Sequence, residues 1–191
     1  MIDFSAARQA MIDSQLRTSG VSARFAIDRM MAVPRENYVP AASQAMAYID
    51  RSIPLDNGRR LAAPVFHGLL LTEAAPHADD RVLVVDSGAG YLAALVEPLV
   101  ASVTVVTPDA PNAQDVRPFS LVLVDGAIEH VPDSLARQMA DGGRIVTGMV
   151  DSGVTRLATG RKAGDSVTLL PLIEMGIPRM AEFDRPQVWS F

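Results

Sequence analysis

The stretch that most constrains this chain is residues 81–95, Arg-Val-Leu-Val-Val-Asp-Ser-Gly-Ala-Gly-Tyr-Leu-Ala-Ala-Leu. The apolar run Val82–Val85 has no polar alternation and reads as a buried strand. A glycine-rich turn with Gly88 and Gly90 follows, and then a helix-compatible run from Tyr91 to Leu95. Strand, tight turn and helix in that order build a nucleotide-type pocket at the carboxyl end of a parallel strand. The free amides at the helix N-terminus attract anionic or polar groups.

The rest of the chain is read around this unit. Its 191 residues correspond to a single domain. Residues 1–63 are expected to form a helical extension, and residues 64–191 the core. Helices are expected over Ser5–Arg17, with Ala6, Ala10 and Leu16 at helical spacing, and from a Ser22 cap to Pro34. Residues 33–40 form a rigid connector, because each proline pushes its predecessor out of helix. Ala41–Ala47 forms a short helical piece, and Tyr48–Ala62 an extended loop turning at Gly58. Pro64 opens a helix to about Ala75. Further strands are expected at Val103–Thr107, Phe119–Val124 and Arg144–Val150, with a helix from Pro132 to Gly142-Gly143. The tail, Val154–Ala158, Ser166–Ile173 and Gln187–Phe191, reads as hairpin strands with Trp189 as a packing anchor. Strand–helix alternation followed by consecutive strands implies an α/β sheet, mostly parallel, with antiparallel C-terminal strands.

Composition removes several classes. The apolar fraction is 49%, enough for a proper core, and the net charge is −5 with no basic run, which argues against nucleic acid as a partner. There is no cysteine, so disulfides, thiolate chemistry and Cys-ligated metals are excluded. Three scattered histidines, His67, His77 and His130, without a fixed acidic partner do not make a metal site. His67 and His77 are expected at the surface or packed against a helix. No apolar stretch reaches the roughly 20 residues that span a bilayer. The N-terminus lacks a signal-peptide pattern, and a cytoplasmic protein is the expectation.

The link Pro108–Pro118 is anomalous. It holds Pro108, Pro111 and Pro118 and is too short and broken for an ordinary strand–helix–strand crossover. Extended, it still reaches roughly 35 Å, enough to return the chain to the start of the next strand. One strand and up to two helices of a doubly wound half are therefore expected to be missing. The strand Val103–Thr107 then becomes an edge. Exposed edges invite pairing, so a homodimer through that edge is expected.

Several segments together resemble the protein-L-isoaspartate O-methyltransferase family. They are Gln9-Ala10-Met11-Ile12 with Gln15-Leu16-Arg17 and Gly20-Val21; Val33-Pro34-Arg35-Glu36-Asn37-Tyr38-Val39-Pro40; Ala47-Tyr48-Ile49-Asp50 with Ile53-Pro54-Leu55; Gly88-Ala89-Gly90-Tyr91; and Gln138-Met139-Ala140-Asp141-Gly142-Gly143-Arg144. The resemblance implies a Rossmann-like methyltransferase fold and S-adenosylmethionine as cofactor. It also implies methyl transfer to the carboxylate of L-isoaspartyl residues in damaged proteins or peptides, as a step in their repair. Asp86, Ser87, Gly88, Gly90, Tyr91 and Asp109, in and after the glycine turn, are the cofactor-binding candidates. Tyr48 and Asp50, which match family positions near the substrate groove, and Asp125, at the sheet edge where ligands bind in open α/β folds, are the catalytic candidates.

The sequence departs from the family at four places. The acidic position of the glycine turn is Val84, and the first glycine position is Asp86. The acid that grips the ribose falls on Thr107, with Asp109 nearby. The serine beside the substrate carboxylate is Ala62, and the segment beside the adenine is absent. Two other readings stay open at this point. One is a catalytically inactive relative that works through binding or dimer assembly. The other is an NAD-type dinucleotide binder, since Gly88-Ala89-Gly90-Tyr91-Leu92-Ala93 fits Gly-x-Gly-x-x-Ala and Asp109 lies about 20 residues on. Asp86 also reads as a cap for the following helix. Asp125-Gly126-Ala127-Ile128-Glu129-His130 reads either as a solvated loop or as a substrate-orienting segment, with Asp125 and Glu129 as orienting acids and His130 in acid–base work.

Overall fold

A computed structural model describes residues 2–115 and 117–185 of the chain. The Gln187–Phe191 strand and the Trp189 anchor expected from sequence lie outside the described residues. The N-terminal extension comprises α1 (Phe4–Met11), a π-helical turn (Ile12–Leu16), α2 (Arg24–Ala32) and two 3-10 turns over Arg35–Tyr38 and Ala41–Met46. The short hairpin β1 (Ile53–Pro54) and β2 (Arg60–Leu61) leads into α3 (Pro64–Ala74). Then come β3 (Arg81–Val85), α4 (Tyr91–Val96), β4 (Ser102–Val106), β5 (Phe119–Ile128), the one-turn α5 (Asp133–Ala136), β6 (Met139–Asp151), β7 (Val154–Ala163) and β8 (Ser166–Glu174).

Local chemistry explains most boundaries. Asp3 Oδ1 accepts from Ala6 N at 3.0 Å and caps α1. Phe4 and Ala7 pack against the core that buries Met11, a spacing of three and four residues along one face. Ala6 and Ala10 are exposed, so the buried face is one position off the expected one. Ser22 is exposed, and Ala23 takes the N-cap of α2 without a side-chain bond. Arg29 instead ties α2 to α4, donating to the carbonyls of Ala94 and Leu95 at 3.0 and 3.1 Å. Pro64 opens α3, and Ala75 ends it in the left-handed region at φ 40°.

The main sheet runs β4-β3-β5-β6-β7-β8. Pairings among β4, β3, β5 and β6 are parallel, and those of β6 with β7 and β7 with β8 are antiparallel. This is the fold class the sequence implied, with β3 and β5 central and buried on both faces. The gap is also where it was expected. β5 lies directly beside β3, β4 is the edge, and no helix occurs among the described residues of the link 107–118.

The loss leaves the two faces of the sheet unequal. Side chains from α1, α2, α3 and α4 share one core with Val82, Val84, Leu121, Leu123 and Val146. On the other face, Leu83, Val85, Val122, Val124 and Ile145 are covered by Leu135 of α5, Met180 and Phe183, with Ala113 of the link alongside. Gln138 stitches this thin layer together. Its Oε1 accepts from Ala113 N at 2.7 Å, and its Nε2 donates to the carbonyls of Pro111 and Ser134 at 2.9 Å each. The helix expected from Pro132 to Gly142-Gly143 shrinks to α5 for this reason. Met139 already pairs with Phe119 as part of β6, and Gly142, at φ 71°, takes the chain through an irregularity before Arg144 resumes the ladder.

Candidate functional site

The carboxyl ends of β3 and β5 meet where the glycine turn departs. Val85 pairs with Val124, so Asp86 and Asp125 are the next residue on each of two neighbouring strands. The ladder between β5 and β6 slips here, from Leu123 opposite Val146 to Ala127 opposite Gly148. The slip leaves Val124, Asp125 and Gly126 as a bulge, a device that re-aims a side chain at a site. Beyond it, Ala127 exchanges backbone bonds with the tail, accepting from Met180 N and donating to Pro178 O, both at 2.8 Å. A side chain at Gly126 would strike Met180 and Pro178 O at 2.8–3.0 Å, so the close approach of the tail requires glycine. The segment read from sequence as a loop is thus strand as far as Ile128, and Asp125 is fully buried. Glu129 and His130 bind the tail. Glu129 accepts from Arg179 and from Arg185 N, and His130 Nδ1 donates to Phe183 O.

Asp125 belongs to a buried polar chain. Arg35 Nη1 lies 3.2 Å from His67 Nδ1, His67 Nε2 lies 2.7 Å from Asp125 Oδ1, and Ser87 Oγ donates to Asp125 Oδ2 at 2.7 Å. A guanidinium only donates, so His67 Nδ1 is an acceptor and the ring proton sits on Nε2, facing Asp125. Arg35 is satisfied otherwise by the carbonyls of Ala47 and Ala62. All four residues are 0–1% exposed. Ser87 and Asp125 were legible in the sequence as site candidates, whereas Arg35 and His67 were not: Arg35 stands in the family-like connector, and His67 was expected at the surface or packed against a helix. The available signal was a histidine in the otherwise apolar run Pro64–Leu71, which demands a buried partner.

Asp86 turns back on its own loop. Its Oδ1 accepts from Gly88 N at 2.6 Å and Gly90 N at 2.9 Å, so the carboxylate occupies amides that would otherwise face a ligand. Its Oδ2 is buried without a partner among the described residues. Burial and the nearby Asp125 push its pKa up, against the pull of the two amides. Asn57, at the tip of the β1–β2 hairpin, covers the turn. Its Nδ2 donates to Ser87 O at 2.9 Å and stands 2.1 Å from where a Cβ on Gly88 would be. Tyr91 is fully buried among Tyr38, His67 and Arg35, at 5.4, 5.2 and 4.9 Å. Its hydroxyl has no partner among the described residues, and burial raises its pKa.

The remaining candidates lie elsewhere in the network. Tyr48 joins α1 to the connector, accepting from Arg8 Nε at 2.7 Å and donating to Glu36. Burial, with the Glu36 bond, pushes its pKa up to about 12. Asp50 accepts from Val65 N at 3.2 Å at the start of α3. Ala62 is buried, Thr107 is exposed, and Val84 packs in the main core. Asp109 is exposed and ion-paired to Arg59, which also binds Glu182 at 2.7 Å. A cavity of about 290 Å³ lies between Gly58–Arg60 and Pro178–Glu182, with Ser87 and Asp125 also lining it.

Residues 6–110, more than half of the chain, match the sequence profile of protein-L-isoaspartate(D-aspartate) O-methyltransferase. The chain belongs to the protein-L-isoaspartate O-methyltransferase family. It is 30% identical to the Roseiflexus castenholzii protein-L-isoaspartate O-methyltransferase, with 87% of this chain and 88% of the relative covered. It is 31% identical to the Methylorubrum populi protein of the same description, covering 74% and 78%. Among solved structures, the Plasmodium falciparum protein-L-isoaspartate O-methyltransferase in complex with S-adenosyl-L-homocysteine superposes with a TM-score of 0.72 at 15% identity, covering 93% of this chain and 97% of that one. At that identity the likeness carries the fold. The profile match ends at residue 110, inside the shortened link Pro108–Pro118.

The family's cofactor, S-adenosylmethionine, can be tested against these residues. The turn amides are taken by Asp86, the approach to Gly88 by Asn57, and Asp109 by Arg59. The cavity beside them is at the low end of the roughly 300–1,000 Å³ of small-molecule pockets. These side chains do not fit the cofactor at the turn.

Proposed function

We propose that this chain is a family member that no longer uses S-adenosylmethionine to methylate isoaspartyl residues, and that it acts through binding and self-assembly. The observation that carries the reading is the Asp86 carboxylate on the amides of Gly88 and Gly90. An internal acceptor held at no translational cost competes for these amides with any external one. Val84 and Thr107 remove two acids from the family pattern, and Ala62 removes a hydroxyl. Charged hydrogen bonds contribute about 1.5–3 kcal/mol each, so losing even two of them weakens a micromolar site to roughly millimolar. The dinucleotide reading loses its acidic residue in the same way, since Asp109 is held by Arg59. Assembly through the β4 edge follows from the missing outer strand. Ser102–Val106 carries neither charge nor proline, and Val105 is 51% exposed. Incubating the purified chain with methyl-labelled S-adenosylmethionine and an isoaspartyl peptide tests the reading. Label is expected to stay at background, and transfer at the rate of a Roseiflexus castenholzii control would overturn it.

A further inference from the structure

The β1–β2 hairpin has features of a moving part. Its ladder is two residues long, Ile53 to Leu61 and Pro54 to Arg60, closed by Leu55 N donating to Arg59 O at 2.9 Å, and a ladder that short has little stability of its own. Its tip is self-organised. Asn57 Oδ1 accepts from Arg59 N at 3.0 Å, Gly58 N donates to Leu55 O at 3.2 Å, and Gly58 takes φ +80°. The tip then reaches three other parts of the molecule. Asn57 holds Ser87 O in the glycine turn, and Arg59 holds both Asp109 in the link after β4 and Glu182 in the tail. Beneath the tip is the cavity lined by Ser87 and Asp125.

We propose that this hairpin is a flap that gates the cavity over Ser87 and Asp125, with Arg59 as its latch. One catch of the latch, Asp109, sits at the start of the shortened link, so the gate is a product of the deletion. Opening of the tip, with Ile53 and Leu61 still buried at its base, requires the loss of Asn57–Ser87 and the two Arg59 ion pairs, while the main sheet stays intact. Those pairs are partly exposed, with Asp109 64% and Glu182 29% accessible at the side chain, so salt screens them and favours the open form. The flap opens and closes whether or not the chain transfers methyl groups.

The absence of cysteine makes the test direct. Ser87→Cys places a unique thiol at the cavity, where its modification by iodoacetamide is followed by mass. In the Arg59→Met background, labelling is expected to be about tenfold faster, the factor that corresponds to about 1.4 kcal/mol of lost ion pairing. One molar NaCl is expected to move the Arg59 protein toward the same rate. Equal rates in the two backgrounds, or a rate that follows global unfolding in urea, would overturn the flap. Hydrogen exchange of the cysteine-free chain gives a second readout. Arg59→Met is expected to speed exchange over residues 55–61 and at Gly88 and Gly90, with β3 and β5 unchanged. Unchanged exchange in those segments, or equal acceleration everywhere, would also overturn it.

Discussion

His67 bridges a buried guanidinium and a buried carboxylate that have no direct contact with each other. Removing one member of such an arrangement strands the others, which typically costs 3–5 kcal/mol. His67→Ala is therefore expected to lower the unfolding free energy by about that much in urea titrations, and a loss under about 1 kcal/mol would contradict the bridge. Asp86 has the opposite character. Its pKa is raised in the folded chain, by burial first and by Asp125 second. The folded state therefore holds the proton more tightly than the unfolded state. Its contribution is intact below the unfolded value and is lost as pH rises through the folded one. Asp86→Asn keeps an oxygen for Gly88 and Gly90 and removes the charge. It is expected to raise the Tm at pH 7 and above and to leave it nearly unchanged below about pH 4. A lower Tm at pH 8 would show that the ionised carboxylate is what the turn requires.

At the scale of elements, the strands and their order were largely legible, because β3 and β5 are continuous apolar runs and the link's three prolines forbid a crossover helix. Boundaries failed where tertiary pairing overrode local pattern. The helix after Pro132 gives way to β6 because Gln138 and Met139 are needed to close the thin face of the sheet. β5 runs past Val124 because the tail pairs with Ala127, a partner no local window contains. The site was legible as a turn but not as a network. Asp86 and Asp125 could be named, whereas Arg35, Asn57, His67 and Arg59 come from connector, hairpin and helix and meet only in the fold. The β4 edge carries a prediction of its own. Light scattering is expected to give a dimer, and Val105→Lys, a charge placed on the edge strand, is expected to give a monomer. A monomeric unsubstituted chain would contradict pairing through β4.

For the whole molecule, one deletion connects most of these features. Losing the outer strand and its helices exposes β4, leaves one sheet face to a thin irregular layer and brings Asp109 within reach of Arg59. The glycine turn keeps its backbone shape, but its amides are satisfied from within by Asp86 and its approach is covered by Asn57. On the proposed reading, this turn does not hold the family's nucleoside cofactor. Isothermal titration of the full chain with S-adenosylhomocysteine tests it most directly. No binding heat is expected up to about millimolar ligand, which corresponds to binding weaker than roughly −4 kcal/mol. Saturable binding at micromolar ligand would contradict it.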